Sequence, residues 1–170
     1  MLKFKEHIIK KKIEKLQQTL DNRSMEIKPV KTVAILNNPK SNLTFDNLKY
    51  LQKALGLSSS QFDIFTFKEK NDHYNELRGI VASKDIFSTF GKIKTPEILE
   101  FLDKKYDLLI DFTGQTTLYE QFFSLTIKAN FRIGYMHPGE TYDLMLNVPQ
   151  GDIKKFADET ARYLKIIGLL

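Results

Sequence analysis

Short apolar runs alternate with amphipathic segments along most of the chain. The runs TVAILN (32–37), FDIFTF (62–67) and YDLLIDF (106–112) are bounded by polar residues, which is typical of strands buried on both faces of a parallel sheet. Further strands are predicted at 85–90, 131–135 and 142–148. Six predicted strands separated by other elements therefore define most of the sequence.

Helix-start signals mark the segments between these runs. Thr44 is predicted to cap a helix that ends at Gly56, and Thr95-Pro96-Glu97 begins another. Thr117 and Glu120 form a capping box for a third. With a last helix near the C-terminus, the core-facing residues are predicted to be Phe45, Leu48, Leu51, Leu55, Ile98, Leu99, Leu102, Leu118, Phe122, Leu125, Ala129, Ile153, Phe156, Ala157, Thr160, Leu164 and Ile167.

The N-terminal segment has a different pattern. Residues 2–20 predict a helix with one narrow apolar stripe, followed by a linker over 21–30. The stripe consists of Leu2, Ile9, Ile13, Leu16 and Leu20, and the last four are the candidate interaction residues. Its spacing resembles a coiled-coil seam of about two heptads, shorter than a sustained coiled coil. The stripe therefore fits either packing on the body or pairing with another copy or a partner helix.

The alternation predicts an α/β fold with a Rossmann-like, mostly parallel sheet and helices on both faces. We expect residues 1–30 to form a basic amphipathic helix and linker, and residues 31–170 to form a single α/β domain. Ligands of such sheets lie beyond the carboxyl ends of the strands, where the strand order reverses. The loops 37–44 and 112–117 are the two that we expect to meet there.

Composition and charge narrow the function classes. The 170 residues include no cysteine, which excludes disulfides, thiolate metal sites and cysteine nucleophiles. Residues 1–31 carry nine basic and four acidic side chains, whereas the remainder carries 17 of each sign. The chain has no apolar run of transmembrane length and no secretory signal pattern. We therefore expect a cytoplasmic protein, neutral in its body and basic at its N-terminal helix.

Polar residues in the two converging loops are the candidate ligand-binding set. A carboxylate and neighbouring hydroxyl and amide groups at strand ends suit a polar or anionic ligand. The candidates are Asn37, Asn38, Lys40, Ser41, Asp111, Thr113, Gln115 and Thr116. The alternative is ordinary turn and cap chemistry, which these residue types also serve. The G-x-G-x-x-G and G-x-x-x-x-G-K-[ST] phosphate-binding motifs are missing from the sequence.

The segment YMHPGETYD (135–143) gathers His137, Glu140 and Asp143. His137 is a further candidate for ligand binding or general-base chemistry, since histidine titrates near neutral pH. The spacing of the three residues matches no metal-binding motif, and Pro138-Gly139 indicates a turn. We therefore predict no metal site, and the sequence specifies no cofactor.

Two resemblances accompany these patterns. The order YDLLIDF, Gly114, a helix and then Arg132-Ile133-Gly134-Tyr135 resembles the N-terminal domain of heptosyltransferase-type glycosyltransferases over 106–135. The whole chain is similar to a family of small uncharacterised bacterial α/β proteins with a Lys-rich N-terminal helix, an apolar strand and a strand ending in D[LF]T. The second resemblance implies a cytosolic α/β protein and assigns no catalytic residue.

Three functions follow as hypotheses. The sequence favours a non-enzymatic binding or interaction module, whose partner is another copy or another protein bound through the N-terminal helix. The first alternative is a small ligand-binding or glycosyltransferase-like enzyme domain with a pocket at the strand ends. The second is association of the basic helix with RNA or an anionic membrane, which the single arginine and single aromatic residue of 1–31 disfavour.

Overall fold

The computed structural model of the protein describes residues 1–73, 77–139 and 141–170. Its helices and strands are α1 Leu2–Asp21, β1 Val33–Asn37, α2 Phe45–Leu55, β2 Phe62–Phe67, β3 Ile80–Ala82, α3 Pro96–Asp103, β4 Lys105–Asp111, α4 Leu118–Thr126, β5 Lys128–Tyr135, β6 Leu144–Leu146 and α5 Ile153–Ile166. Two short 3-10 turns, Ser59–Gln61 and Lys84–Ile86, complete the regular structure of the described residues.

The six described strands form one parallel sheet in the order β3-β2-β1-β4-β5-β6. The chain builds one half of the sheet outward from β1 and the other half outward from β4. This is the strand order of the doubly wound Rossmann fold, and it reverses between β1 and β4. The predicted α/β class, parallel sheet and N-terminal helix are therefore confirmed.

Helices cover both faces of the sheet because successive strand residues point to opposite sides. On one face, α2 and α5 bury Leu51 and Phe156 against Ile35 and Ile110. On the other face, the core contains the side chains Ile9, Ile13, Ala34, Leu36, Phe65, Ile98, Phe101, Leu109, Phe122 and Phe123. Two apolar layers thus lie above and below continuous buried strands.

The basic N-terminal helix packs on the body of the protein. Ile9 and Ile13 are buried, and Leu16 and Leu20 lie partly buried against the same core as α4. Lys5 Nζ donates to the carbonyl of Lys84 at 2.9 Å. The apolar stripe is thus part of the protein's own core.

Helix termini follow the sequence signals closely. Thr44 Oγ1 accepts a hydrogen bond from Asn47 N at 3.2 Å, and Gly56 ends α2 with φ 66°. Thr117 and Glu120 form the capping box of α4, as predicted. These ends are determined locally because each cap satisfies a backbone group that the helix leaves unpaired.

The prediction of a strand at 85–90 is wrong. The third strand is Ile80–Ala82, which pairs with β2, and the chain then turns at Lys84–Ile86. Phe87 is buried against the rings of Tyr119 and Phe122 instead of forming part of a sheet. The apolar pattern of 85–90 thus resembles that of a strand, although Phe87 is apolar because it packs on the aromatic rings of α4.

Smaller corrections concern the faces and ends of helices. Phe45, Leu99 and Ile167 are exposed rather than core-facing, and Phe101 is buried in α3. Leu2, at the start of the predicted stripe of α1, is also exposed. Ala129 belongs to β5, because α4 ends at Thr126. The strand predicted over 142–148 is shorter, since β6 covers only Leu144–Leu146.

Candidate functional site

The two predicted loops meet where the strand order reverses. β1 and β4 are neighbours, so the segments that follow them leave the same edge of the sheet. Asn38 Nδ2 donates to the carbonyl of Thr113 at 3.3 Å and to Glu120 Oε1 at 2.8 Å. A side chain from the first loop therefore bridges the second loop and the start of α4.

Asp111 is the centre of this region and is completely buried. Its Oδ1 accepts hydrogen bonds from Thr113 N at 2.9 Å and Thr113 Oγ1 at 2.6 Å. Its Oδ2 accepts a hydrogen bond of 2.6 Å from the hydroxyl of Tyr142. Burial, followed by the charge of Asp111, raises the pKa of Tyr142 well above its ordinary value. The tyrosine therefore stays protonated and donates to the carboxylate.

Gly134 gives Tyr142 the space for this contact. A Cβ atom at Gly134 would lie under 3.0 Å from three carbons of the Tyr142 ring. Gly134 is buried in β5 beside Asp111 of β4. The ring therefore lies directly over the β5 backbone, which directs its hydroxyl to Asp111.

The Gly114-Gln115 turn closes the region from above. Both residues are left-handed, with φ 67° and φ 52°, a conformation that is uncommon for glutamine. Gln115 Nε2 donates to Ser124 Oγ at 3.1 Å and to the Tyr142 hydroxyl at 2.8 Å. Within the described residues, Gln115 Oε1 is buried without a hydrogen-bond partner. The hydrogen bonds of the buried Gln115 side chain therefore hold the turn in place.

The first loop is held by a similar set of contacts. Asn37 Nδ2 donates to Thr66 Oγ1 at 3.2 Å, and Ser41 Oγ donates to Asn37 Oδ1. Leu43 N in turn donates to Ser41 Oγ at 3.1 Å. Asn37, Ser41 and Thr66 are all buried. These side chains connect β1 and β2 through hydrogen bonds and shape the entry to α2.

The remaining candidates are closer to solvent. Lys40 and Thr116 are exposed, although Thr116 Oγ1 donates to Glu120 Oε2 at 2.8 Å. His137 lies in the segment after β5, where its Nδ1 accepts a hydrogen bond of 3.0 Å from Gly139 N. No described hydrogen bond joins His137 to the Asp111 network. Of the nine candidates, Asn38, Asp111, Thr113, Gln115 and Thr116 thus belong to the Asp111 network. Asn37 and Ser41 belong to the cluster between β1 and β2, and the Lys40 side chain and His137 lie closer to solvent.

The HPGETYD segment offers little coordination geometry among the described residues. Glu140 lies outside them, and the carboxylate of Asp143 binds Arg23 and accepts Arg132 N at 2.8 Å. Elsewhere in 1–73, 77–139 and 141–170, histidine and acidic residues form no group of three that suits a metal ion.

Sequence reasoning missed the residues that complete the network from other elements. The sequence pattern indicates only a strand position for Tyr142, a position inside the predicted helix for Ser124 and a cap for Glu120. Arg132 carried the one available signal, since it is a charged residue inside the apolar run FRIGY. The others are ordinary residue types in their elements, and only the packing brings them to Asp111.

Arg132 is among the largest fully buried side chains of the described residues. Its Nε donates to the carbonyl of Thr141 at 3.1 Å, and its Nη1 donates to that of Ile127 at 2.9 Å. Burial, with a smaller contribution from the charge of Arg23, lowers the pKa of Arg132 to about 10. The guanidinium therefore remains charged at neutral pH in a buried position.

Comparison with known proteins adds a family to this geometry. The model of a family described as "Family of unknown function (DUF6913)" matches residues 5–167. The chain belongs to this family. The match covers the whole sheet and all of α1 except its first three residues. No curated protein and no solved structure matches the chain.

The helices do not have the properties of membrane spans. In the described part of the chain, none combines the length and the hydrophobicity required to cross a bilayer. Even α1, the longest described helix at 20 residues, carries charged side chains along its length.

Proposed function

We propose that this member of the family is a non-enzymatic, cytoplasmic interaction module whose α/β body holds a basic helix in a fixed position. This proposal rests on the burial and hydrogen bonding of Asp111, the best candidate for chemistry at the strand ends. It is completely buried, and both of its oxygens accept hydrogen bonds from the protein itself. Such a network supports a structural role for the polar residues of the strand ends.

The interaction surface in this proposal is the outward face of α1. Two of its lysines contact the body, since Lys5 donates to the Lys84 carbonyl and Lys12 donates to that of Gly91 at 2.5 Å. Four other lysines are exposed, namely Lys3, Lys10, Lys11 and Lys15. Because the apolar stripe packs inward, charge rather than a hydrophobic seam characterises the available face.

An acidic protein surface is the partner that this face fits best. Glu14 is exposed among the lysines, and such mixed charge suits a partner of defined pattern better than a uniformly anionic polymer. The face lacks arginine, and Phe4 is its exposed aromatic residue, whereas RNA-binding surfaces combine both residue types with lysine. The buried stripe is also unable to insert into a lipid surface.

Crosslinking in cells followed by mass spectrometry tests the proposal. We expect crosslinks from Lys10, Lys11 or Lys15 to an acidic segment of another protein. With that partner purified, reversing the three charges to Glu is expected to raise the Kd by about tenfold or more, because the paired charges then repel. Added salt is expected to weaken the native complex, since these charges are exposed.

The matched control reverses three exposed lysines on the opposite face of the sheet, Lys53, Lys155 and Lys165. This variant is expected to keep the affinity of the native protein. Equal loss of binding in both variants would show that only net charge matters and would overturn the proposal. Stronger, α1-dependent binding to single-stranded RNA or to phosphatidylserine vesicles would also overturn it.

A further inference from the structure

A cavity of about 460 Å³ lies on the α1 side of the sheet. It is open to solvent on one side and is lined by the C-terminal half of α1, the linker that follows it, the end of α4 and the amino ends of β4 and β5. The cavity is thus near the edge of the sheet opposite to the Asp111 network. Its volume falls in the range of small-molecule sites, roughly 300–1,000 Å³.

The lining of this cavity is amphipathic, with more basic than acidic side chains. Its apolar wall consists of Leu16, Leu20, Leu125, Ile127 and Ala129. Its basic side chains are Arg23, Lys28, Lys105, Lys128 and Arg132, and its acidic side chain is Glu26. Arg23, Lys28 and Lys128 form salt bridges with carboxylates outside the lining, so among the described residues Lys105 and Arg132 are the basic side chains of the lining without one. An occupant with an apolar body and a negative charge would match both parts of the lining.

Besides the shape and lining of the cavity, the hydrogen bonding of Arg132 also indicates an anionic ligand. Within the described part of the chain, its Nη2 is buried without a hydrogen-bond partner, while Nε and Nη1 bind carbonyl groups. No described carboxylate forms a salt bridge with this guanidinium. The charges of Asp111 and Asp143 act on it, but these carboxylates bind Tyr142 and Arg23. A buried charged donor without an acceptor is costly, so an anion that reaches Arg132 through the cavity gains a strong hydrogen bond.

Arg23 extends the basic region of the cavity toward the linker. Its Nη1 donates to the carbonyl of Asn130 at 2.6 Å and to that of Ala129 at 3.3 Å, which fixes its position at the start of β5. The charge of Arg23 also acts on Arg132. The carboxylates of Asp111 and Asp143 offset part of the repulsion between the two guanidinium groups, and a bound anion would offset more of it.

We propose that this cavity is a binding site for a small amphipathic anion, with a carboxylate or phosphate group directed to Arg132 and Arg23 and a hydrocarbon body against the leucines of α1 and α4. The site goes beyond the proposed interaction surface and is independent of it. Lys10, Lys11 and Lys15 do not line the cavity, so reversing their charges is expected to leave its occupancy unchanged.

The full-length chain can be tested with decanoate, decyl phosphate, decanol and inorganic phosphate by isothermal titration calorimetry. We expect saturable one-site binding of decanoate or decyl phosphate. Decanol and inorganic phosphate are each expected to bind at least about tenfold more weakly. Decanol lacks the negative charge, and inorganic phosphate lacks the hydrocarbon chain. Comparing the affinities of decanoate and decyl phosphate shows whether the site prefers a carboxylate or a phosphate group. Failure of both amphiphiles to bind overturns the proposal, as does equal binding of decanol.

Two variants locate the site. Thr19→Trp places a large ring at an exposed residue of the cavity lining, whereas Gln18→Trp changes an exposed neighbour that does not line it. The first is expected to weaken binding by about tenfold or more and the second to leave it unchanged. Equal affinities of the two variants would assign the binding elsewhere and overturn the proposal.

Arg132→Gln tests the anion contact directly. It is expected to remove the preference for decanoate over decanol, while circular dichroism reports whether the variant folds. Retention of the full preference in a folded variant would overturn the proposal. If the variant fails to fold, the NMR signal of the Arg132 Nε–H group in the native protein replaces it. That signal is expected to shift on saturation with the amphiphile, and an unchanged signal would overturn the proposal.

Discussion

At the scale of single residues, Asp111 shows what the buried network does for the fold. Its three hydrogen bonds join β4, the following turn and Tyr142. Asp111→Asn replaces one acceptor oxygen with a donor, which leaves a buried donor or acceptor unsatisfied. We expect the free energy of unfolding to fall by about 1–3 kcal/mol, as measured by urea denaturation.

Lys40→Ala is the matched control from the same candidate set. The Lys40 side chain is exposed, and its described contact is made by its backbone nitrogen to Asn38. The change is expected to alter stability by less than about 0.5 kcal/mol. Equal effects of the two substitutions would contradict a structural role for the Asp111 network.

Gly134 makes a second prediction at this scale. Gly134→Ala forces a methyl group into the Tyr142 ring, and such overpacking costs about 1–3 kcal/mol of stability. Thermal unfolding measures the loss, and near-ultraviolet circular dichroism reports the displaced tyrosine. Gly139→Ala is the control, because its Cβ would lie 3.3 Å from the nearest atom, in His137. A fully stable Gly134→Ala protein would contradict the assigned contact.

At the scale of elements, α1 is attached through its apolar stripe. Ile9 has no exposed surface, whereas Leu2 on the same helix is 62% exposed. Ile9→Ala is expected to reduce the free energy of unfolding by about 2–5 kcal/mol, the usual range for a large buried aliphatic side chain. Leu2→Ala is expected to change it little. Chemical denaturation measures the stability of both variants. Equal stabilities would contradict the docking of α1 through Ile9.

Asp107 fastens the linker to the start of β4. It accepts hydrogen bonds from Lys31 N at 2.9 Å and Thr32 N at 3.0 Å, and it pairs with Lys28 at 3.1 Å. Burial alone would raise the pKa of Asp107, but these contacts outweigh burial and lower it. The folded state therefore binds the proton more weakly than the unfolded state, whose aspartate pKa is about 3.9.

The sign of this shift gives a pH-dependent prediction. The stabilisation by Asp107 is present above about pH 4 and is lost as the pH falls through its lowered pKa. Asp107→Asn is expected to be less stable than the native protein at pH 7, with a difference that shrinks below about pH 4. Urea denaturation from pH 7 to low pH measures this difference. A constant difference at every pH would contradict the role of the ionised carboxylate.

At the scale of the whole molecule, the sheet and α1 share one core layer. Ile13 of α1 and Leu109 of β4 belong to the same buried cluster. We therefore expect their amide protons to exchange through the same global opening, with similar free energies in native-state hydrogen exchange. Fast exchange of Ile13 while Leu109 stays protected would indicate that α1 unfolds separately from the body.

The elements differ in how well local sequence specifies them. The ends of α2 and α4 were predictable because a threonine cap, a capping box and a C-terminal glycine act within a few residues. The sequence pattern does not predict β3, because a strand of three residues is too short to show a period. Its strand conformation depends on pairing with β2. In the run 85–90, Phe87 instead packs on α4 and Phe90 is exposed, which the sequence pattern alone does not distinguish from a strand.

The sequence by itself determined the α/β class, the parallel character of the sheet, most helix ends and the two loops that meet at the strand ends. These follow from local periodicity, capping and the rules of parallel strand connection. The tertiary structure decided the strand order, the docking of α1 and the inward orientation of the polar candidates. It also placed Tyr142 over Gly134 and buried Arg132 beside a cavity. Those features depend on residues far apart in sequence, whose contacts only packing brings together.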